Sequence, residues 1–128
     1  MALKDSLRIL IVDDMSVSRG LVTQALDQIG LKQYDWCKDG QSALTSVVNR
    51  PVHLVISDYE MPKMNGLDLL ESLRQHKTTA RIGFILLTGS ADPAVISRGS
   101  KLGMNNYLKK PFSVPQLQKC IEAVVGRL

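Results

Sequence analysis

The sequence predicts an α/β fold: a doubly wound parallel sheet of five strands with five helices. Three features carry that prediction. Short apolar runs alternate with longer segments whose apolar residues recur at helical spacing. Several of the short runs are apolar at nearly every position, as strands are when helices cover both faces of a sheet. Residues suited to starting and stopping helices bracket the longer segments.

The first strand is expected over Leu7–Val12 (LRILIV), and the helix after it carries an apolar stripe of Leu21, Val22, Ala25, Leu26 and Ile29. Ser16 is its expected cap, because a serine hydroxyl can accept an N–H left free in the first turn. Gly30 is its expected stop, since glycine enters the left-handed region without a Cβ penalty. Tyr34–Cys37 (YDWC) is the second strand. The third, His53–Ser57 (HLVIS), runs into Asp58; Met61-Pro62 then shapes a loop and Asn65-Gly66 begins the next helix. Phe84–Thr88 (FILLT) is the fourth strand, and Asp92-Pro93 opens the fourth helix, where proline's missing N–H costs nothing. Gly103 ends it. Asn106–Lys110 (NYLKK) is the fifth strand, and Ser113 caps a last helix with the stripe Leu117, Ile121, Val124, Val125 and Leu128, stopped at Gly126. Strand–helix alternation at this spacing implies parallel pairing through helical crossovers. With no linker, repeat or low-complexity stretch, one domain over residues 1–128 is expected.

A chain of 128 residues with 45% hydrophobic and 22% charged residues can bury an ordinary core without staples. Cys37 and Cys120 lie far apart in no CxxC or metal spacing, so two reduced thiols are expected. No apolar run approaches membrane length, and MALKDSLRILIVDD places acidic residues on both sides of a short apolar run, unlike a signal peptide. The expected setting is therefore cytoplasmic, with no membrane insertion. The net charge of +4 comes from scattered Lys and Arg without a basic run or interleaved aromatics, which argues against nucleic-acid binding.

In an open α/β sheet, ligands bind beyond the carboxyl ends of the strands, near the point where strand order reverses. There the first strand delivers Asp13-Asp14, the third Asp58 with Glu60 close behind, the fourth Thr88-Gly89 and the fifth Lys110-Pro111. Carboxylates crowded in this way repel, and one would retain its proton unless a cation intervened. An all-oxygen cluster suits Mg²⁺, which keeps several waters and accepts carboxylates together with a phosphate. A carboxylate between a metal and a lysine is placed as a nucleophile toward phosphorus. The lysine ammonium and the Thr88 hydroxyl are then available to the oxygens of the transferred group.

Four segments in series, VDD (Val12–Asp14), SDYEMPKMNG (Ser57–Gly66), LLTGS (Leu86–Ser90) and KKPFS (Lys109–Ser113), resemble the receiver domain of two-component response regulators. The resemblance spans nearly the whole chain. It implies a flavodoxin-like sheet in the order 2-1-3-4-5. It also implies that Asp58 accepts a phosphoryl group as an acyl phosphate, that Asp14 binds Mg²⁺ directly and Asp13 through water, and that Glu60 offers its backbone carbonyl to the metal. Thr88 and Lys110 would hold the phosphoryl oxygens, Tyr107 would be the switch aromatic that moves inward as Thr88 shifts, and the Lys110-Pro111 bond would be cis. The side chains of Glu60 and Ser90 would tune loss of the phosphate, and Gly89 would widen access to it. The implied activity is a phosphorylation-driven switch with weak phosphotransfer and self-dephosphorylation, not a metabolic enzyme. A histidine kinase or histidine phosphotransfer domain would be the donor. Output would pass to another protein, such as a flagellar motor switch component in chemotaxis, through the fourth helix, fifth strand and fifth helix.

Plainer readings stand beside these. Asp13-Asp14 also suits the start of a helix. Tyr107 also reads as a half-buried strand aromatic, His53 and His76 as structural or solvated, and Arg98 and Lys101 as a solvated helix face. Two other functions fit the acidic edge: a Mg²⁺-dependent phosphohydrolase with an aspartate nucleophile, and a phosphate sink or relay. The phosphohydrolase class usually shows Asp-x-Asp, whereas this chain has Asp58-Tyr59-Glu60.

Overall fold

In the computed structural model, which describes residues 3–90 and 92–128, a short 3₁₀ turn (Leu3–Asp5) leads into alternating strands and helices. These are β1 (Ile9–Val12), α1 (Ser16–Ile29), β2 (Tyr34–Cys37), α2 (Gly40–Asn49), β3 (Leu54–Asp58), α3 (Gly66–Gln75), β4 (Gly83–Thr88), α4 (Pro93–Lys101), β5 (Asn106–Lys109) and α5 (Val114–Val125). All pairings are parallel and the sheet order is β2-β1-β3-β4-β5, the expected doubly wound arrangement. From β1 the chain goes outward to β2, then returns to the other side of β1 for β3. The reversal therefore lies between β1 and β3.

Successive strand residues point to opposite faces, and the core splits accordingly. Ile9, Ile11, Leu54, Ile56, Ile85 and Leu87 pack with α1 and α5 on one face. Leu10, Val12, Val55, Phe84 and Leu86 pack with α2 and α3 on the other, joined there by half-buried Val95 and Leu102 of the α4 side. Coverage on both faces explains why β1 and β3 are fully buried along their length. Each buried Leu or Ile contributes roughly 1.5–3 kcal/mol relative to exposure.

Local signals set the boundaries. Asn65 caps α3 in a reciprocal box: its Oδ1 accepts from Leu67 and Asp68 N–H, while Asp68 Oδ2 accepts from Asn65 N–H. Ser113 and Gln116 do the same for α5, and Asp92 caps α4 ahead of Pro93. Gly30 closes α1 in the left-handed conformation, φ 97°. Strand ends shift by one residue, β3 spanning Leu54–Asp58, β4 starting at Gly83 and β5 stopping at Lys109, and three further expectations are corrected. Ser16 is the first residue inside α1, not its cap; the cap position is Met15, whose N–H is instead taken by Asp13 Oδ1 at 3.0 Å. Asp13 thus lies two residues ahead of the cap position, and no acidic residue stands in the first turn of α1. Leu21 is 59% exposed, because the face of α1 against the sheet is narrower than the five-residue stripe suggested. The first strand begins at Ile9; Leu7 precedes it, yet is buried in the core. Cys37 and Cys120 are free thiols, and burial pushes Cys120 up to about 11.

Candidate functional site

β1 and β3 end side by side, with Val12 opposite Ser57, so Asp13 and Asp58 leave the sheet together at the reversal point. One ligand oxygen from each of Asp13, Asp14 and Asp58 lies within 4.8 Å of the others. Asp13 and Asp58 are buried, whereas Asp14 is exposed at the mouth. From the end of β5, Lys110 brings its Nζ to 3.0 Å from Asp58 Oδ1. The Lys110-Pro111 bond is cis, as expected.

The cluster carries more negative charge than its one lysine balances. Burial raises the Asp58 carboxyl above the usual range; the ion pair with Lys110 opposes this, the charge of Asp13 adds to it, and the Tyr59 backbone opposes it weakly. Asp13 Oδ2 is buried with no hydrogen-bond partner. Arg19, close at hand, gives its Nη1–H to the Asp13 backbone carbonyl at 3.0 Å and stacks its guanidinium 3.7 Å over Trp36, so it does not serve that oxygen. An orphaned carboxylate oxygen within a set of hard oxygen donors fits a divalent cation such as Mg²⁺.

The backbone around Asp58 is tightly packed. Ser57 is buried, and its hydroxyl donates to the Asp58 carbonyl at 2.9 Å. Tyr59 N–H donates to Leu87 O, and Gly66 N–H donates to Tyr59 O. A Cβ on Gly66 would lie 2.5 Å from the Asp58 carbonyl oxygen, so Gly66 is required by close approach as well as starting α3.

The other half of the site is more open. Thr88 is buried at the end of β4, and its hydroxyl donates to Ser90 O at 2.8 Å while accepting from Ser90 N–H at 3.2 Å. Gly89 has open space where a side chain would be. Tyr107 is 38% exposed on β5. Glu60 is exposed, and its carboxylate is not part of the three-aspartate cluster. His53 Nδ1 accepts from Arg8 N–H, a structural role, and His76 is exposed.

Four features were missed from sequence. Ser18 Oγ receives a hydrogen bond from Lys110 Nζ at 3.2 Å. Arg19 links Asp13 to Trp36. Gly66 abuts the Asp58 backbone. Arg98 is not simply solvated: its Nη2 lies 3.0 Å from Asp68 Oδ1 and 4.0 Å from Glu71, tying α4 to α3. The Gly66 signal was the only local one, a glycine just past a helix cap.

The family model described as response regulator receiver domain matches residues 9–122. The chain belongs to this family. It is 41% identical over 128 residues to a probable chemotaxis protein CheY of Rhizobium etli, covering 100% of this chain and 99% of that one. It is 30% identical over 126 residues to chemotaxis protein CheY-3 of Vibrio cholerae, covering 98% and 97%. The structure resembles Vibrio cholerae CheY4 with TM-score 0.87 and 27% identity over 93% of this chain and 98% of that one. It also resembles the receiver domain of a Pseudomonas aeruginosa sensor histidine kinase, solved with magnesium coordinated in its active-site cleft, with TM-score 0.84, 26% identity and coverage of 94% and 98%. Receiver domains bind Mg²⁺ at an acidic pocket, and Asp13, Asp14 and Asp58 form such a pocket here. CheY-like response regulators act as phosphorylation-dependent switches.

Proposed function

We propose that this chain, as a single receiver domain over residues 1–128, accepts a phosphoryl group on Asp58 from a histidine kinase or histidine phosphotransfer domain and signals by binding another protein. The observation that supports this most is the buried Asp58 carboxylate, clustered with Asp13 and Asp14 and paired with the Lys110 ammonium 3.0 Å away. Similarity to chemotaxis proteins supports a role in chemotaxis, a cytoplasmic setting and an output partner such as a flagellar motor switch component. Among the described residues no helix is long and apolar enough to cross a membrane.

In this reading an Asp58 oxygen attacks phosphorus. A P–O bond forms, the donor's P–N bond breaks, and the electron pair returns to the donor imidazole. Asp14 would hold Mg²⁺ directly, Asp13 through water and Glu60 through its carbonyl; bound Mg²⁺ would neutralise charge on the transferred group. Lys110 stays on the phosphoryl oxygens. Thr88 joins it by exchanging its bond with Ser90 O for one to the phosphoryl group, and Tyr107 follows into the space that Thr88 leaves. The Glu60 and Ser90 side chains at the rim govern how water reaches the acyl phosphate. The domain's own chemistry is confined to this transfer and slow self-hydrolysis.

Incubation with acetyl phosphate and Mg²⁺, read by intact mass, should add one phosphoryl group to the wild type and none to Asp58→Asn. Equal labelling of both would refute the assignment. Rapid multiple turnover of simple phosphomonoesters would favour a hydrolase instead.

A further inference from the structure

We propose that Ser18 is a positioning residue for Lys110, a second anchor that keeps the ammonium group directed at the acceptor carboxylate; this rests on the reading of Asp58 as phosphoryl acceptor. Ser18 is the third residue of α1. A serine in the first turn of a helix ordinarily turns its hydroxyl to water or to nearby backbone. Ser18 Oγ instead accepts from Lys110 Nζ at 3.2 Å, across 92 positions of sequence.

The need for such an anchor follows from lysine chemistry. An ammonium carries three N–H donors on a stem with several rotatable bonds, and loses appreciable rotamer entropy when held in place. Asp58 Oδ1, at 3.0 Å, takes one donor. That contact alone fixes a distance but not a direction. A second acceptor on another element fixes the direction. Ser18 supplies it where Lys110 runs along a groove of about 550 Å³ whose lining is largely apolar. Met15, Val17, Pro111 and Phe112 also line the groove and offer no good side-chain acceptor, and although Gln24 and Gln28 line it too, Lys110 Nζ bonds Ser18 and Asp58 rather than either amide. Without Ser18, no hydroxyl on α1 would hold the ammonium, and its second donor would be free to turn to water or to another acceptor.

Ser18 forms no bond to the transferred group. Its effect is that Lys110 meets the incoming phosphoryl oxygens already aimed, with less reorganisation at the moment of transfer. The Ser18 hydroxyl, not the bulk of its side chain, is what matters, so threonine should replace it and alanine should not.

The test compares wild type, Ser18→Ala and Ser18→Thr as full chains with two readouts. In metal-free protein labelled with ¹⁵N-lysine, exchange of the Lys110 ammonium protons with water should quicken roughly threefold or more in Ser18→Ala and stay near wild type in Ser18→Thr. With acetyl phosphate and saturating Mg²⁺, labelling of Asp58 should slow roughly three- to tenfold in Ser18→Ala and recover in Ser18→Thr, with Mg²⁺ affinity the same in all three. Wild-type exchange and labelling in Ser18→Ala would overturn the inference. So would a loss shared by Ser18→Thr and accompanied by weaker Mg²⁺ binding, which marks a disturbed helix. If the wild type itself is not labelled, the acceptor reading fails and this role for Ser18 goes with it.

Discussion

The ends of β1 and β3 differ sharply from the ends of β4 and β5, although both pairs border the same site. On the β1–β3 side every strand residue is buried, the Asp58 backbone is bonded on both flanks, and α3 begins with a reciprocal cap against the Asp58 carbonyl. On the β4–β5 side burial ends at Thr88. Gly89 and Ser90 are exposed, β5 alternates between half-buried and exposed residues, and α4 has only Gly99 fully buried. The side that carries the proposed acceptor is closely packed, while the side proposed to report its state is held by hydroxyl hydrogen bonds at Thr88 and by the half-exposed Arg98–Asp68 pair. Exposed pairs of that kind contribute at most about 1 kcal/mol, so the reporting side can rearrange without unfolding the acceptor.

Substitutions matched across the two sides sharpen this contrast. The largest difference is expected from core truncation. Ile56→Ala in β3 removes a fully buried side chain and should cost about 2–5 kcal/mol by urea unfolding. Tyr107→Ala in β5, which starts 38% exposed, should cost distinctly less. Similar losses would erase the contrast. A smaller difference is expected at the glycines. Gly66→Ala drives a Cβ to 2.5 Å from Asp58 O and 2.7 Å from Leu86 Cδ1 and should cost roughly 1–3 kcal/mol, with slower labelling. Gly89→Ala meets nothing within 4 Å and should leave stability nearly unchanged.

The smallest effect concerns charge. Burial raises the Asp58 carboxyl, so the folded state holds this proton more tightly than the unfolded chain does. The associated stability is complete below the ordinary carboxylate range and is lost as pH rises through the raised folded value. At neutral pH without Mg²⁺, Asp58→Asn should therefore melt above wild type, and the gap should close on acidification or when Mg²⁺ is added to the wild type. A variant that melts lower at neutral pH would contradict the proposed cost of the ionised, crowded carboxylate.

Much of this division was legible in the sequence because strand polarity is periodic and doubly wound sheets place sites at strand ends. The near-uninterrupted apolar runs located β1, β3 and β4, and Asp13, Asp58, Thr88 and Lys110 then fell on one edge without further information. Helix boundaries depended on single hydrogen bonds. Ser16 has the chemistry of a cap, but the helix begins one residue earlier than it would need, with Met15 at the cap position and Ser16 already in the first turn. The contacts that escaped join distant positions, Ser18 with Lys110 and Asp68 with Arg98, and a serine or arginine on a helix gives no local sign of its partner. Leu21 was misplaced because helical spacing identifies a stripe but not how much of it a neighbour covers.

The proposed division between a fixed acceptor and a reporter that rearranges is tested most directly by amide hydrogen exchange with and without beryllofluoride and Mg²⁺, which imitate the phosphorylated state. Protection should change over the end of β4, α4 and β5, while the amides of β1 and β3 keep their protection. An equal change across all the strands, or one confined to β1 and β3, would contradict it.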